Sequence, residues 1–296
     1  MTNKQNFYAY LAIIIGVIAV SLSAIFVKLT ESPSGLTAFY RMLLSVLIML
    51  PLFIWKYKHE VKLLTKKDWL LSSIAGVLLA FHFIIWFESL NYTSIASSTV
   101  LVTLQPIFAF VGTYFFFKEK ISIKSIVAAL VAIGGSIWIS IGDFRISGSA
   151  LYGDILALVA CAFITGYLLF GQEVRKRLSL ITYTMIVYSV SSVTLFAYVL
   201  TIEGSFVPVN QMDWLYFILL AIVSNLLGHT LFNYAVKYVS TNTISMAILF
   251  EPIGATILAY LIFNEKLIAT QIIGGLIVIV GLMIFVIDIK SIKKLF

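Results

Sequence analysis

The chain has 296 residues, of which 61% are hydrophobic and 11% charged, with a mean hydropathy of +1.06. So few charges cannot cover a water-soluble domain of this size, and apolar runs of about 20 residues, the length that crosses a bilayer, recur along most of the chain. The net charge of +7 lies in short clusters between those runs, which argues against a nucleic-acid-binding domain. Cys161, the single cysteine, excludes an intramolecular disulfide and a cysteine metal cluster.

Ten membrane-spanning helices are predicted. The first five lie at about 8–30, 35–55, 69–90, 94–117 and 123–142. The second five lie at about 150–172, 179–201, 214–236, 242–263 and 268–288. The first run lacks a small-x-small cleavage site, so a retained helix is expected rather than a signal peptide. With the N-terminus inside, 16 of the 20 Lys and Arg residues fall on inner segments. Only Lys28, Arg41, Arg145 and Lys266 fall outside. This bias predicts that both termini face the cytoplasm, in a multi-pass protein of the cell membrane.

Shifted by 146 residues, Trp86–Ile139 aligns with Phe232–Phe285 without a gap, with 13 of 54 positions identical. The matches include Tyr92 with Tyr238, Ser94 with Ser240, Pro106 with Pro252, Glu119-Lys120 with Glu265-Lys266, and Gly135 with Gly281. The expected architecture is all-α, two five-helix repeats over residues 1–146 and 147–296. Five is an odd number, so the second repeat enters the membrane inverted, an arrangement typical of secondary transporters.

The chain also resembles the ten-helix, EamA-type members of the drug/metabolite transporter superfamily. The resemblance rests on Phe39-Tyr40-Arg41, Asn91-Tyr92-Thr93-Ser94, Leu104-Gln105-Pro106 with Lys118-Glu119-Lys120, and Phe250-Glu251-Pro252 with Asn264-Glu265-Lys266. It implies a proton-linked or facilitative carrier, often an exporter of amino acids or other small metabolites. That family usually has glycine before the Glu that ends the fourth and ninth spans. Lys118 and Asn264 stand there instead, so a different local backbone is expected.

Ionisable side chains deep in lipid are functional candidates by default. Glu251 precedes Pro252 in mid-span, where the missing amide loosens the helix. It can exchange a proton or hold substrate, or else tie helices together. Its repeat counterpart Gln105, before Pro106, cannot ionise. His82 and His229 can shuttle protons or bind substrate, or serve as interhelical hydrogen-bonding groups. Inversion places His82 toward the outer half and His229 toward the inner half. Trp86 and Tyr167 are candidate stacking residues, and Asn225 shares a polar face with His229. Arg41 has three readings: it snorkels to the interface, pairs with Glu31 or Glu88, or attracts an anionic group. Glu119 and Glu265 end their spans symmetrically, as gate or hinge contacts beside Pro106 and Pro252, or as solvated helix ends. Asp154 is a helix-dipole partner. Glycines of the fifth and tenth spans allow close contact, within the bundle or with a second copy.

The residues therefore describe a small-solute carrier working by alternating access, with proton coupling through Glu251, and the resemblance implies that it exports. Its partners are a small-molecule substrate, protons and the lipid bilayer; no metal, cofactor or nucleic acid is expected. A scaffold or channel is the alternative. A membrane enzyme is a weaker one, because no Gly-x-Ser-x-Gly, His-Glu-x-x-His or phosphate-binding loop is present.

Overall fold

A computed structural model describes residues 3–140, 148–264 and 269–286. The described residues form helices and connecting turns, with no strand among them. Taken in chain order, the first five helices are α1 (Gln5–Leu29), α2 (Ser34–Leu63), α3 (Lys66–Ser89), α4 (Ile95–Phe117) and α5 (Ile123–Ser140). The others are α6 (Gly148–Val174), α7 (Leu180–Glu203), α8 (Asp213–Ala235), α9 (Thr241–Phe263) and α10 (Ala269–Val286). Eight are long and apolar enough to cross a membrane; α5 and α10 are shorter apolar helices. Exposed Ile14, Leu47, Val111, Phe115, Leu200 and Leu276 give the bundle an apolar outer surface, as lipid requires.

Helix α3 packs along α6 and α7, and α2 also runs beside α7. Helix α1 lies against α8 and α9, and α5 pairs with α10. Helices α4 and α9 exchange halves. The first half of α4 (Ile95–Val102) lies against the second half of α9 (Glu251–Phe263). The second half of α4 (Gln105–Phe117) lies against the first half of α9 (Thr241–Ile248).

Both breaks come just before proline. Pro106 and Pro252 lack the amide that would continue the preceding helix, and their rings crowd the carbonyl one turn back. Hydroxyls bond to backbone beside both breaks: Thr103 Oγ1 donates to the Thr99 carbonyl at 2.8 Å, and Ser21 Oγ donates to the Glu251 carbonyl at 3.3 Å. Helix α1 breaks too, at Leu22, where its first part ends at Ser21 and its second runs over Ser23–Leu29. Helix α8 widens into a π-helical stretch over Leu220–His229, an irregularity common at functional sites. Helix α2 runs past its predicted end near 55, through a π-turn after Pro51 and a 3-10 turn, to Leu63.

The expected difference in backbone at Lys118 and Asn264 is not found. Lys118 has φ 55° and Asn264 has φ 54°, the left-handed conformation that glycine adopts most easily. At Lys118 the Glu119 amide donates back to the Thr113 carbonyl at 3.3 Å, closing the end of α4 as a glycine would. The geometry is set by how the helix stops, and the side chain bears the strain. Lys118→Gly should therefore stabilise the protein by up to about 1 kcal/mol. Lys118→Val, β-branched, should destabilise it. Thermal unfolding in detergent tests both.

The glycines of α5 and α10 are used within the chain. A Cβ on Gly135 would meet the Gly274 carbonyl at 2.7 Å, and one on Gly281 would meet the Ala132 amide at 2.6 Å. A buried apolar cluster that includes Ala128, Ala129, Ala132 and Val278 surrounds this contact.

Candidate functional site

The helix breaks converge on a small cavity in the middle of the bundle. Its water-accessible space is about 20 Å³, room for about one water molecule. Gln105 lines it from the break in α4, Glu251 from the break in α9, and Ser23 from just past the break in α1. His82 and Trp86 enter from α3, and His229 and Phe232 from α8. Glu251 is 6% exposed and Gln105 4%, so both polar groups are held almost free of bulk water. Each sits at the first position of its half-helix with proline following. The same local chemistry thus presents a neutral amide on one side and a carboxyl on the other.

The two histidines meet at the cavity. Their ring centroids are 6.4 Å apart, edge to face. His82 stacks on Trp86 at 5.7 Å, and its Nδ1 lies 3.0 Å from the Ala160 carbonyl. His229 has its Nδ1 without a partner among the described residues. His229 is the last residue of the π-helical stretch of α8.

Arg41 neither snorkels nor pairs with the expected acids. It is 0% exposed; Nη1 donates to Ser23 Oγ at 2.8 Å, and the guanidinium lies 4.0 Å over the Phe83 ring. Glu88 accepts instead from Ser34 Oγ at 2.9 Å, and Glu31 Oε1 accepts from Asn210 Nδ2 at 3.3 Å.

Tyr167 and Asn225 stand behind the cavity wall. The Tyr167 ring lies 6.3 Å from that of His229, and its hydroxyl oxygen accepts from Asn233 Nδ2. Asn225 Nδ2 donates to Ser45 Oγ at 2.9 Å, tying α8 to α2. Asp154 accepts from Ser97 Oγ at 2.8 Å, a tie between α6 and α4 in place of the helix-dipole role.

Polar clusters stand at both ends of the bundle. At one end Glu119 accepts from Gln172 Nε2 at 2.9 Å and from Asn242 Nδ2 at 3.2 Å, joining the end of α4 to α6 and α9. Arg175 follows α6 at that end, its Nε donating to the Asn233 carbonyl at 2.9 Å; burial pulls its pKa below the usual arginine value. At the other end Glu203 accepts from the Gly35 amide at 2.8 Å, and Glu88 from Ser34, at the start of α2. Glu265 lies outside the described residues.

Sequence reasoning passed over Ser23, Phe232 and Tyr188, whose hydroxyl meets Thr230 Oγ1 at 2.9 Å. Ser21-Leu22-Ser23, two hydroxyls inside an apolar run, was the available signal for the break in α1. Among the described residues no group of three His, Cys, Asp or Glu side chains could hold a metal ion.

Broken helices around an enclosed, ionisable cavity define a multi-pass membrane protein of the transporter class. The EamA-like transporter family model matches twice, over residues 7–141 and 151–287, and the chain belongs to that family. Among its relatives is the uncharacterized transporter YxxF of Bacillus subtilis, 23% identical over 87% of this chain and 83% of that one. YetK of the same organism, also an uncharacterized transporter, is 24% identical over 97% and 89%. The riboflavin transporter ImpX of Fusobacterium nucleatum is 23% identical over 65% and 66%. Among solved structures that share the fold is a crystal structure with a TM-score of 0.74 at 13% identity over 100% of this chain and 99% of that one.

Proposed function

We propose that the protein is a secondary carrier of amino acids or related amphipathic solutes, exporting them across the cytoplasmic membrane by alternating access, with Glu251 carrying a coupling proton. The observation that carries this reading is Glu251 itself, an ionisable group in an enclosed cavity at the break of α9, opposite the matching break of α4. Discontinuous helices meeting at mid-membrane are where carriers of inverted-repeat design bind solute and coupling ion. His82, Trp86, His229 and Gln105 form the walls of that site, with Arg41, Tyr167 and Asn225 behind them.

Two matches to one family model support reading residues 1–146 and 147–296 as repeats. So does the exchange of halves between α4 and α9. The distribution of basic residues supports their inversion, with both termini cytoplasmic. In this orientation Glu119 and its partners close the inner end, and Glu203 and Glu88 close the outer end. Each end rests on a few hydrogen bonds worth about 0.5–1.5 kcal/mol apiece. That is weak enough for either end to open while Pro106 and Pro252 act as hinges. A cavity the size of one water admits a solute only when the helices part.

The test is flux in proteoliposomes with labelled amino acids, small metabolites and riboflavin, with and without a pH gradient. A carrier gives saturable uptake and counterflow. Unitary conductance would mean a channel, and neither flux nor counterflow with any solute would sink the carrier reading.

A further inference from the structure

Arg41 is the charge to which the carrier reading gives no task. We propose that it is an anion-binding subsite on the transport path, so that the transported solute bears a carboxylate or phosphate-like group joined to an apolar or aromatic body. The proposal rests on the carrier reading for the path, and on the geometry around Arg41 for the chemistry.

Burying a guanidinium without a counter-charge is expensive, and folds seldom do it for packing alone. Arg41 is wholly enclosed, yet only Nη1 has a hydrogen-bond partner, Ser23 Oγ. Nε and Nη2 have none among the described residues. Those two nitrogens share one edge of the guanidinium plane, the edge whose parallel N–H groups match the two oxygens of a carboxylate or phosphate. The ion pairs seen among the described residues are Lys67–Glu173, Lys176–Glu173 and Arg177–Asp68, none of which involves Arg41.

Its position ties it to the cavity. Ser23 is part of the cavity wall, and Phe83, under the guanidinium, meets the His229 ring edge to face at 5.4 Å. The titratable groups within electrostatic reach of Arg41 come from five helices: His82 on α3, Tyr167 on α6, Tyr188 on α7, His229 on α8 and Glu251 on α9. Glu251 is the one acid in this set, and it is not in ion-pair contact with Arg41. A solute anion and an ionised Glu251 therefore compete for the same cation. The stacked His82–Trp86 pair and Phe232 offer the apolar wall for the rest of the solute.

The experiment is thermal unfolding of the full chain in detergent with matched probes. Acetate, benzoate and 3-phenylpropanoate are each compared with the uncharged amide, and phenyl phosphate with phenol. Wild type should be protected by anions and not by their neutral partners, with protection growing from acetate to 3-phenylpropanoate. The carboxylate and phosphate arms show which headgroup is preferred. Arg41→Gln should weaken anion binding at least about tenfold, and Arg41→Lys, which keeps the charge but loses the fork, should weaken it less. Glu251→Gln should tighten it several-fold, because the competing carboxylate is gone. Equal protection by acids and amides in the wild type, or no protection by any anion, overturns the proposal even if Arg41→Gln fails to fold. So does anion binding that survives in folded Arg41→Gln. Flux without preference for anions would remove the subsite and leave the carrier standing. Anion-selective binding with no flux would do the reverse.

Discussion

Glu251→Gln is expected to abolish pH-driven accumulation of solute while leaving the protein folded and able to exchange solute across the membrane. A one-unit pH gradient is worth about 1.4 kcal/mol per proton, so one proton moved per solute supports about tenfold accumulation. Without a titratable group at the break of α9, that ratio should fall to unity, whereas counterflow, which needs no net proton movement, should persist. The substitution keeps shape and hydrogen-bonding capacity. The chain itself shows that glutamine suits this setting, since Gln105 occupies the equivalent position before Pro106. The bond from Ser21 Oγ goes to the Glu251 backbone carbonyl, so it survives the change. Accumulation equal to wild type in folded Glu251→Gln would remove Glu251 as the proton carrier and leave alternating access untouched.

The features readable from sequence are those set by local chemistry. Hydropathy gives the spans because bilayer thickness fixes their length, and Pro106 and Pro252 break their helices because a missing amide acts within one turn. Glu251, Gln105, His82, Trp86 and His229 could be singled out because polar groups inside apolar runs are rare, and they do line one cavity. What stayed hidden depends on how helices are phased and stopped. His229 lies beside His82 at the end of a π-helical stretch of α8, and no pattern in Leu220–His229 announces that stretch. Arg41 faces inward because Phe83 and Ser23 wait for it on two other helices. Lys118 and Asn264 adopt the glycine-like conformation because the chain must turn there whatever side chain is present. Residue identity suggested the wrong outcome at each of those two positions.

Gly281→Leu is expected to be the most damaging single substitution on the α5–α10 face, because the atoms it would strike cannot move aside. A Cβ there lies 2.6 Å from the Ala132 amide, 2.7 Å from the Ala132 Cβ and 2.8 Å from the Ala128 carbonyl. Two of these are backbone atoms inside a helix, so relief requires α5 and α10 to separate. In lipid, close packing of this kind is most of what holds helices together, since the surrounding tails offer apolar contact too. Overpacking by one side chain costs about 1–3 kcal/mol, and the larger figure applies where backbone must shift. Gly135→Leu should behave similarly, because its Cβ would meet the Gly274 carbonyl and the Val278 amide, both at 2.7 Å. The two changes relieve the same contact by the same separation, so the double variant should lose less than the sum of the singles. Gly134 is the control: nothing lies within 4 Å of the place its Cβ would occupy. Gly134→Leu should leave thermal unfolding near wild type. If Gly134→Leu proved as harmful as Gly281→Leu, the pairing of α5 with α10 inside one chain would not be what these glycines serve. Size-exclusion chromatography with light scattering would then show whether a contact between two copies had been lost.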